Sequence, residues 1–182
     1  MSNPKVSVIL PAYNAAAHLG KAIDSILGQT FPDFELIIIN DGSTDSTTEL
    51  LARYHDHRIK VITQENLGLP KALNQGLAIA QGIYIARQDA DDISLPSRLE
   101  KQVQFLDQHE NYGLVGTWSQ IITPDGPSHR QHLHPTSNGQ IQVQLLINNQ
   151  FVHSSVMFRA SCLKNTGLYS EDPNHFPPDR KS

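Results

Sequence analysis

Along the first hundred residues the apolar positions alternate between two spacings. Lys5–Leu10, Phe34–Asn40, Arg58–Thr63 and Gly82–Arg87 are short runs rich in Val, Ile and aromatic residues. Three of them are nearly continuous apolar stretches, the pattern of strands covered on both faces. Between them the spacing changes to three and four. Leu19, Ile23, Ile26 and Leu27 form one stripe, and Leu50, Leu51 and Tyr54 a second. Leu69, Ala72, Leu73, Gly76, Leu77 and Ala80 form a third. Pro96 is placed to open a fourth helix as a first-turn proline, with Leu99, Val103 and Leu106 on one face. This alternation predicts an α/β fold, a mainly parallel sheet flanked by helices on both faces.

Beyond residue 110 the pattern loosens. Tyr112–Thr117 reads as a strand and Ile121–Gly126 as another, ending in a Pro-Asp-Gly turn. His129–Asn138 reads as a polar loop, Gln140–Ile147 as a short helix and Ser155–Arg159 as a strand. Asp172–Ser182 holds three prolines and shows no periodicity. The expectation is one domain in two parts, 1–110 and a smaller, mixed part over 111–182.

Composition narrows the class. A chain of 182 residues fits one domain and is long enough for a core without staples. Its net charge of −4 argues against electrostatic binding of nucleic acid. No apolar run approaches a membrane span, so no transmembrane segment is expected. The opening MSNPK leads straight into a strand-like run, which predicts no signal peptide. Cys162 is the one cysteine, which excludes an internal disulfide and a cysteine-based zinc site. A reducing, intracellular compartment is the expectation.

In open parallel sheets ligands bind at the carboxyl ends of the strands. There the chain carries Pro11-Ala12-Tyr13-Asn14, then Asn40-Asp41-Gly42-Ser43-Thr44-Asp45, then Arg87-Gln88-Asp89-Ala90-Asp91-Asp92. Ser43, Asp45 and Ser46 read first as caps of the second helix. Asp89, Asp91 and Asp92 differ: three carboxylates in four residues repel one another unless a cation joins them. Two hard oxygen ligands at i and i+2 suit Mg²⁺ or Mn²⁺, with the shell completed by phosphate oxygens of a substrate. Arg87 is open between strand packing and a counter-charge to this cluster.

The order and spacing of Val6–Asn14, Asp41–Asp45, Glu65-Asn66-Leu67-Gly68, Ala72–Gly76 and Asp89–Asp92 resemble family-2 glycosyltransferases, enzymes of the GT-A fold that use nucleotide-activated sugars. His153–Arg159 is similar to a later segment of that family. The resemblance implies a nucleotide-sugar donor, UDP-linked, inversion at the sugar, and a glycan, lipid-linked or other hydroxyl acceptor. By the same resemblance Pro11, Ala12 and Tyr13 line the base pocket and Asp41 binds a uracil-like edge. Glu65, Asn66 and Gly68 then lie near the nucleotide, with Lys71 or Asn74 near ribose or phosphate. Asp89 faces the ribose or the metal, and Asp91, second carboxylate of the Asp-X-Asp motif, ligates the metal. Tyr13 as a half-buried packing residue and Lys71 as a solvated helix lysine stay open beside these roles. His153 stands between a diphosphate contact and a structural histidine.

An inverting transfer needs a base for the acceptor hydroxyl. In the family it is an Asp of a Glu-Asp pair shortly after a segment similar to Gly167–Asp172. Here Asp179 is the nearest candidate by position and Asp172 the alternative, with no Glu-Asp pair following. The chain therefore reads as a shortened relative of longer transferases, cut near the expected base. The rival from another class is a nucleotide-sugar-binding module without that base. A dinucleotide-binding dehydrogenase is excluded because Pro11–Asn14, straight after the first strand, holds none of the glycines its fingerprint needs. His129, His132 and His134 read as an exposed polar cluster without a metal. Surface-glycan assembly at the cytoplasmic face of the membrane is what the resemblance implies for location.

Overall fold

A computed structural model describes residues 3–123 and 126–172. Its strands are β1 (Val6–Ala12), β2 (Phe34–Asp41), β3 (Ile59–Gln64), β4 (Tyr84–Arg87), β5 (Leu114–Val115), β6 (Ser119–Thr123), β7 (Gly126–His132) and β8 (Met157–Arg159). The helices are α1 (Leu19–Leu27), α2 (Thr47–Leu51), α3 (Leu69–Ile79), α4 (Arg98–Gln108), α5 (Asn138–Leu145) and α6 (Leu163–Thr166). The main sheet has the order β3-β2-β1-β4-β8-β5. Its first four strands are parallel, and β8 runs antiparallel to both β4 and β5.

Two cores follow from the strict alternation of side chains along each strand. Val6, Val8, Leu10, Leu36 and Ile38 pack on one face against Leu19, Ile23 and Ile26 of α1 and Leu99, Val103 and Leu106 of α4. Ile9, Ile37, Ile39 and Ile85 face the other way, against Ala72, Leu73 and Leu77 of α3. Gly76 lets α3 lie close to the sheet, since a Cβ there would stand 2.6 Å from Ile9 Cγ2. At the amino end of the sheet the buried Glu35 accepts from Ser7 Oγ (2.5 Å) and Gln81 N (2.8 Å) and pairs with Lys60 Nζ (2.7 Å). Burial pushes the Glu35 carboxyl up, but these partners outweigh it and hold it below its usual range.

The first half thus forms as its spacing predicts, with two shifts. Helix α2 ends at Leu51, so Tyr54 lies beyond it instead of on its stripe. Pro96 is not in the first turn of α4: it precedes Ser97, the N-cap, and its carbonyl accepts from Thr30 N at 2.9 Å. The second half departs more. The strand expected over Tyr112–Thr117 shortens to β5, and residues 129–132, expected as loop, belong to β7, which pairs antiparallel with β6. No residue of this two-stranded ribbon is fully buried, only alternate positions being half-covered, so neither strand needs the apolar alternation that would reveal it. Pro124 and Asp125 of the expected turn lie outside the described residues. Ser155 belongs to a single 3₁₀ turn, His153–Ser155, ahead of β8.

Candidate active site

The loops after β1 and β2 are laced together by short polar side chains. Asn14 takes a left-handed conformation (φ 50°), and its Oδ1 accepts from Thr44 N (2.8 Å) and Asp45 N (3.3 Å). In return Asn14 N donates to Ser43 Oγ, Ala15 N to Thr47 Oγ1 and Ala16 N to Asp45 Oδ2. Ser43 and Asp45 therefore join two strand ends as well as opening α2, where Asp45 Oδ1 accepts from Thr47 N. Pro11 and Ala12 are buried at the end of β1. Tyr13 follows them 51% exposed, which presents a ring face outward rather than packing it away.

Asp41, 4% exposed at the end of β2, is the hub of the next loop. Its Oδ1 accepts from Gln64 Nε2 (2.7 Å) and Leu67 N (2.9 Å), and its Oδ2 from Gly68 N (2.9 Å). A carboxylate offers about four acceptor positions, so one on Oδ2 stays open to a ligand donor. The close approach depends on Gly42 (φ +72°): a Cβ there would lie 2.5 Å from Asn66 N. Glu65 and Asn66 are exposed in this loop, and Gly68 is the N-cap of α3. Lys71 is exposed on the first turn of α3.

After β4 the chain enters the acidic loop. Arg87 is 2% exposed; its guanidinium pairs with Asp89 Oδ1 at 2.5 Å and donates to Gln88 O at 2.5 Å. It is the counter-charge to the cluster. Asp91 is exposed one residue beyond Ala90. The Asp92 carboxyl is raised above its usual range, by desolvation first and then by Asp89 and Asp91, with Ser154 opposing. Beneath the loop lies Arg98, a residue the sequence pattern does not single out. Its guanidinium donates to Gln88 Oε1 (2.8 Å), Ser94 Oγ (2.9 Å), Gln102 Oε1 (3.2 Å) and the Arg87 carbonyl (2.6 Å). Burial lowers its pKa to about 10, so it remains charged at neutral pH. Gln88 Nε2 in turn holds the Asp89 and Asp92 carbonyls.

The carboxylates of Asp89 and Asp91 are hard oxygen donors, and two cations, Arg87 and the buried Arg98, stand against three acidic side chains. That donor set fits Mg²⁺ or Mn²⁺ with part of its shell left to water and substrate. Among the described residues no group of three or more His, Cys, Asp or Glu side chains is placed to hold a metal ion by itself.

His153 lies at the same sheet end, its Nε2 3.1 Å from the Tyr169 hydroxyl. Asn74 is engaged within the fold: its Nδ2 donates to Tyr169 O (3.0 Å) and Glu171 Oε1 (2.9 Å), and its Oδ1 accepts from Tyr169 N (3.0 Å). It therefore fixes the segment that leads to Asp172, which is exposed. Asp179 lies outside the described residues. Burial, with Arg87 adding, lowers His153 to about 4, against about 6.5 in an unfolded chain. Between these values the unfolded state alone binds the proton, so stability is unaffected above pH 6.5 and falls as the pH drops toward 4. The expected loss, discounted for partial exposure, is about 1.5 kcal/mol by pH 5. Urea unfolding at pH 7 and pH 5 should show this slope in the wild type and a flatter one in His153→Gln. Equal slopes in the two proteins would refute it.

Two cavities flank this end of the sheet. The larger, about 750 Å³, lies on the α3 face between α5 and α6, with His153 and Tyr169 at its inner wall. The smaller, about 370 Å³, lies on the α4 face beside Asp92.

Comparison with known proteins bears on the family and the fold. The model of the family described as Glycosyl transferase family 2 matches residues 7–166. EpsE of Bacillus subtilis (strain 168) is 41% identical over 172 residues, 92% of this chain and 61% of EpsE. The O-antigen biosynthesis glycosyltransferase WbnJ of Escherichia coli is 38% identical over 175 residues, covering 92% of this chain and 68% of WbnJ. S. aureus TarS 1–349, solved in complex with UDP, has a TM-score of 0.69 at 25% identity, covering 92% of this chain and 50% of that one. The chain thus spans 50–68% of the length of these relatives. From the parallel sheet, through the acidic loop after β4, to the match over residues 7–166, the chain belongs to glycosyl transferase family 2, on a GT-A-like fold.

Proposed function

We propose that this chain transfers a sugar from a nucleotide-sugar donor, UDP-linked, to a hydroxyl of a glycan or lipid-linked acceptor, with inversion. The observation that carries the reading is the convergence of three loops at one sheet end: the outward ring of Tyr13, the open acceptor position of Asp41, and the carboxylates of Asp89 and Asp91 beside Arg87. Tyr13 stacks on the base above Pro11 and Ala12, and Asp41 accepts from a base N–H. Asn66 and Gly68 border the nucleotide, and Lys71 and His153 stand at its phosphate side. The UDP complex of TarS supports uridine as the base.

In such a transfer the acceptor oxygen bonds to the anomeric carbon as the bond from that carbon to the diphosphate oxygen breaks, and a carboxylate takes the hydroxyl proton. A single displacement inverts the centre. Asp89 and Asp91 would hold Mg²⁺ or Mn²⁺, which when bound stabilises the charge gathering on the departing diphosphate. Asp172 and Asp179 are the candidates for the base, and the Asn74 clamp gives the segment before Asp172 a fixed origin. The relation to the O-antigen biosynthesis glycosyltransferase WbnJ supports a place in surface-glycan assembly. Among the described residues no helix is long and apolar enough to cross a membrane.

Calorimetric titration of UDP with and without Mn²⁺ tests the reading. Mn²⁺-dependent binding is expected, weakened at least about tenfold in Asp91→Ala. Absence of binding under both conditions would overturn the donor site, and wild-type affinity in Asp91→Ala would overturn the metal assignment.

A further inference from the structure

The smaller cavity takes no part in the donor chemistry, yet it opens beside it. One wall is the start of α4, with Ser97 and Lys101; the other is the root of the β6–β7 ribbon, with Trp118 and Gln120. Asp92 and Ser154 close the end nearest the acidic loop. Asp92 follows Asp91 directly, so the two Cα atoms are about 3.8 Å apart and the cavity adjoins the carboxylates assigned to the donor. At about 370 Å³ it falls at the lower end of small-molecule sites, which run from roughly 300 to 1,000 Å³.

Its most informative feature is Trp118. The side chain is 56% exposed, although it stands on a well-tied piece of chain. The indole Nε1 donates to the His134 carbonyl at 2.9 Å, which sets the orientation of the ring. The preceding residue is fixed as well: Thr117 N donates to Ser155 Oγ (3.1 Å), and that hydroxyl lies 3.2 Å from Thr117 O. An exposed indole held by its one polar atom, with its face free, costs little further ordering when something lies against it. Hydroxyl, amide and ammonium groups line the cavity with it, while the guanidinium among the lining residues, Arg98, is buried and already bonded to the chain. An apolar platform beside single hydrogen-bonding groups, without a cationic cluster for phosphate, matches a pyranose. Such a ring carries C–H bonds on its face and hydroxyls at its edge.

We propose that this cleft is an acceptor subsite that seats one pyranose ring of the acceptor glycan on Trp118, with Lys101 and Gln120 at its hydroxyls and its reacting end toward Asp92. The proposal rests on the glycosyltransferase reading and extends it to the acceptor. It places acceptor selection in the β6–β7 ribbon and in α4, elements that the donor does not touch.

Trp118 is the one tryptophan of the chain, so its emission reports the cleft directly. The full chain is titrated with methyl glycosides of glucose, galactose, mannose and N-acetylglucosamine. Trp118 emission and saturation-transfer NMR of the glycosides are read together, and UDP calorimetry is run on the same samples. A saturable emission change with at least one glycoside in the millimolar range is expected, with transfer to the sugar C–H protons. Trp118→Phe should keep the NMR transfer, whereas Trp118→Leu and Lys101→Met should weaken the glycoside at least about fivefold with UDP affinity unchanged. Absence of both signals for all four sugars, or glycoside affinity in Trp118→Leu within about twofold of wild type by NMR titration, would overturn the subsite. Loss of UDP binding alone would strike the donor reading and leave the Trp118 result standing.

Discussion

Replacing Arg98 by Met is expected to destabilise the protein by about 3–5 kcal/mol and to loosen the acidic loop. The magnitude follows from what the guanidinium holds. It donates to two side-chain oxygens within the loop, Gln88 Oε1 and Ser94 Oγ, to the Arg87 carbonyl, and to Gln102 Oε1 one helical turn on. A methionine fills much of the volume but leaves these acceptors facing apolar surface, each unmade bond costing about 1–3 kcal/mol. The loss spreads through two partners. Gln88 Nε2 holds the Asp89 and Asp92 carbonyls, and Gln102 Nε2 donates to the Ser155 carbonyl at 2.8 Å. Arg98→Lys should recover only part of the stability, because an ammonium cannot span four acceptors in the planar fork of a guanidinium. Urea unfolding measures the stability, and UDP affinity in Mn²⁺ measures the loop. A cost below about 1 kcal/mol for Arg98→Met would show that the bonds are made without strength.

Arg98 also marks where the sequence stops being readable. The strands β1, β2 and β4 stand out because a strand covered on both faces has no polar position to spare, and helix faces such as Leu99, Val103 and Leu106 stand out because they are apolar. Arg98 and Gln102 lie on that same buried side of α4, but a charged or amide residue in a helix reads as solvated until its partners are known. The acidic loop is legible for the opposite reason, since three carboxylates in four residues are hard to explain without a cation. Asn74 is opaque for a further reason. It stands among motif residues of α3, but its partners are the backbone of Tyr169 and the carboxylate of Glu171, about a hundred positions on, and no local pattern encodes such a pair. The β6–β7 ribbon and Trp118 are silent in the pattern because no residue of the ribbon is fully buried. The site was therefore visible where its chemistry is concentrated and hidden where polar side chains do structural work inside the fold.

Asp41 joins both kinds of role, and its substitution should have the larger effect on binding. Asp41→Ala is expected to lower UDP affinity at least about a hundredfold and stability by about 2–4 kcal/mol. The binding term has two sources. One is loss of the acceptor offered to the base. The other is loss of the loop itself, since Leu67 N, Gly68 N and Gln64 Nε2 all donate to this one carboxylate. Asp41→Asn separates them. It keeps the volume, but its amide nitrogen must face either the Gly68 N–H or the pair from Gln64 and Leu67, so one arm of the cradle turns from attraction to repulsion. If Asp41 serves mainly to shape the loop, Asp41→Asn will expose the Leu67 and Gly68 amides to hydrogen exchange and lose UDP in proportion. If it serves mainly to read the base, the two amides will stay protected while UDP is still lost. Both outcomes keep Asp41 in the donor site; UDP affinity within threefold of wild type in Asp41→Ala would remove it.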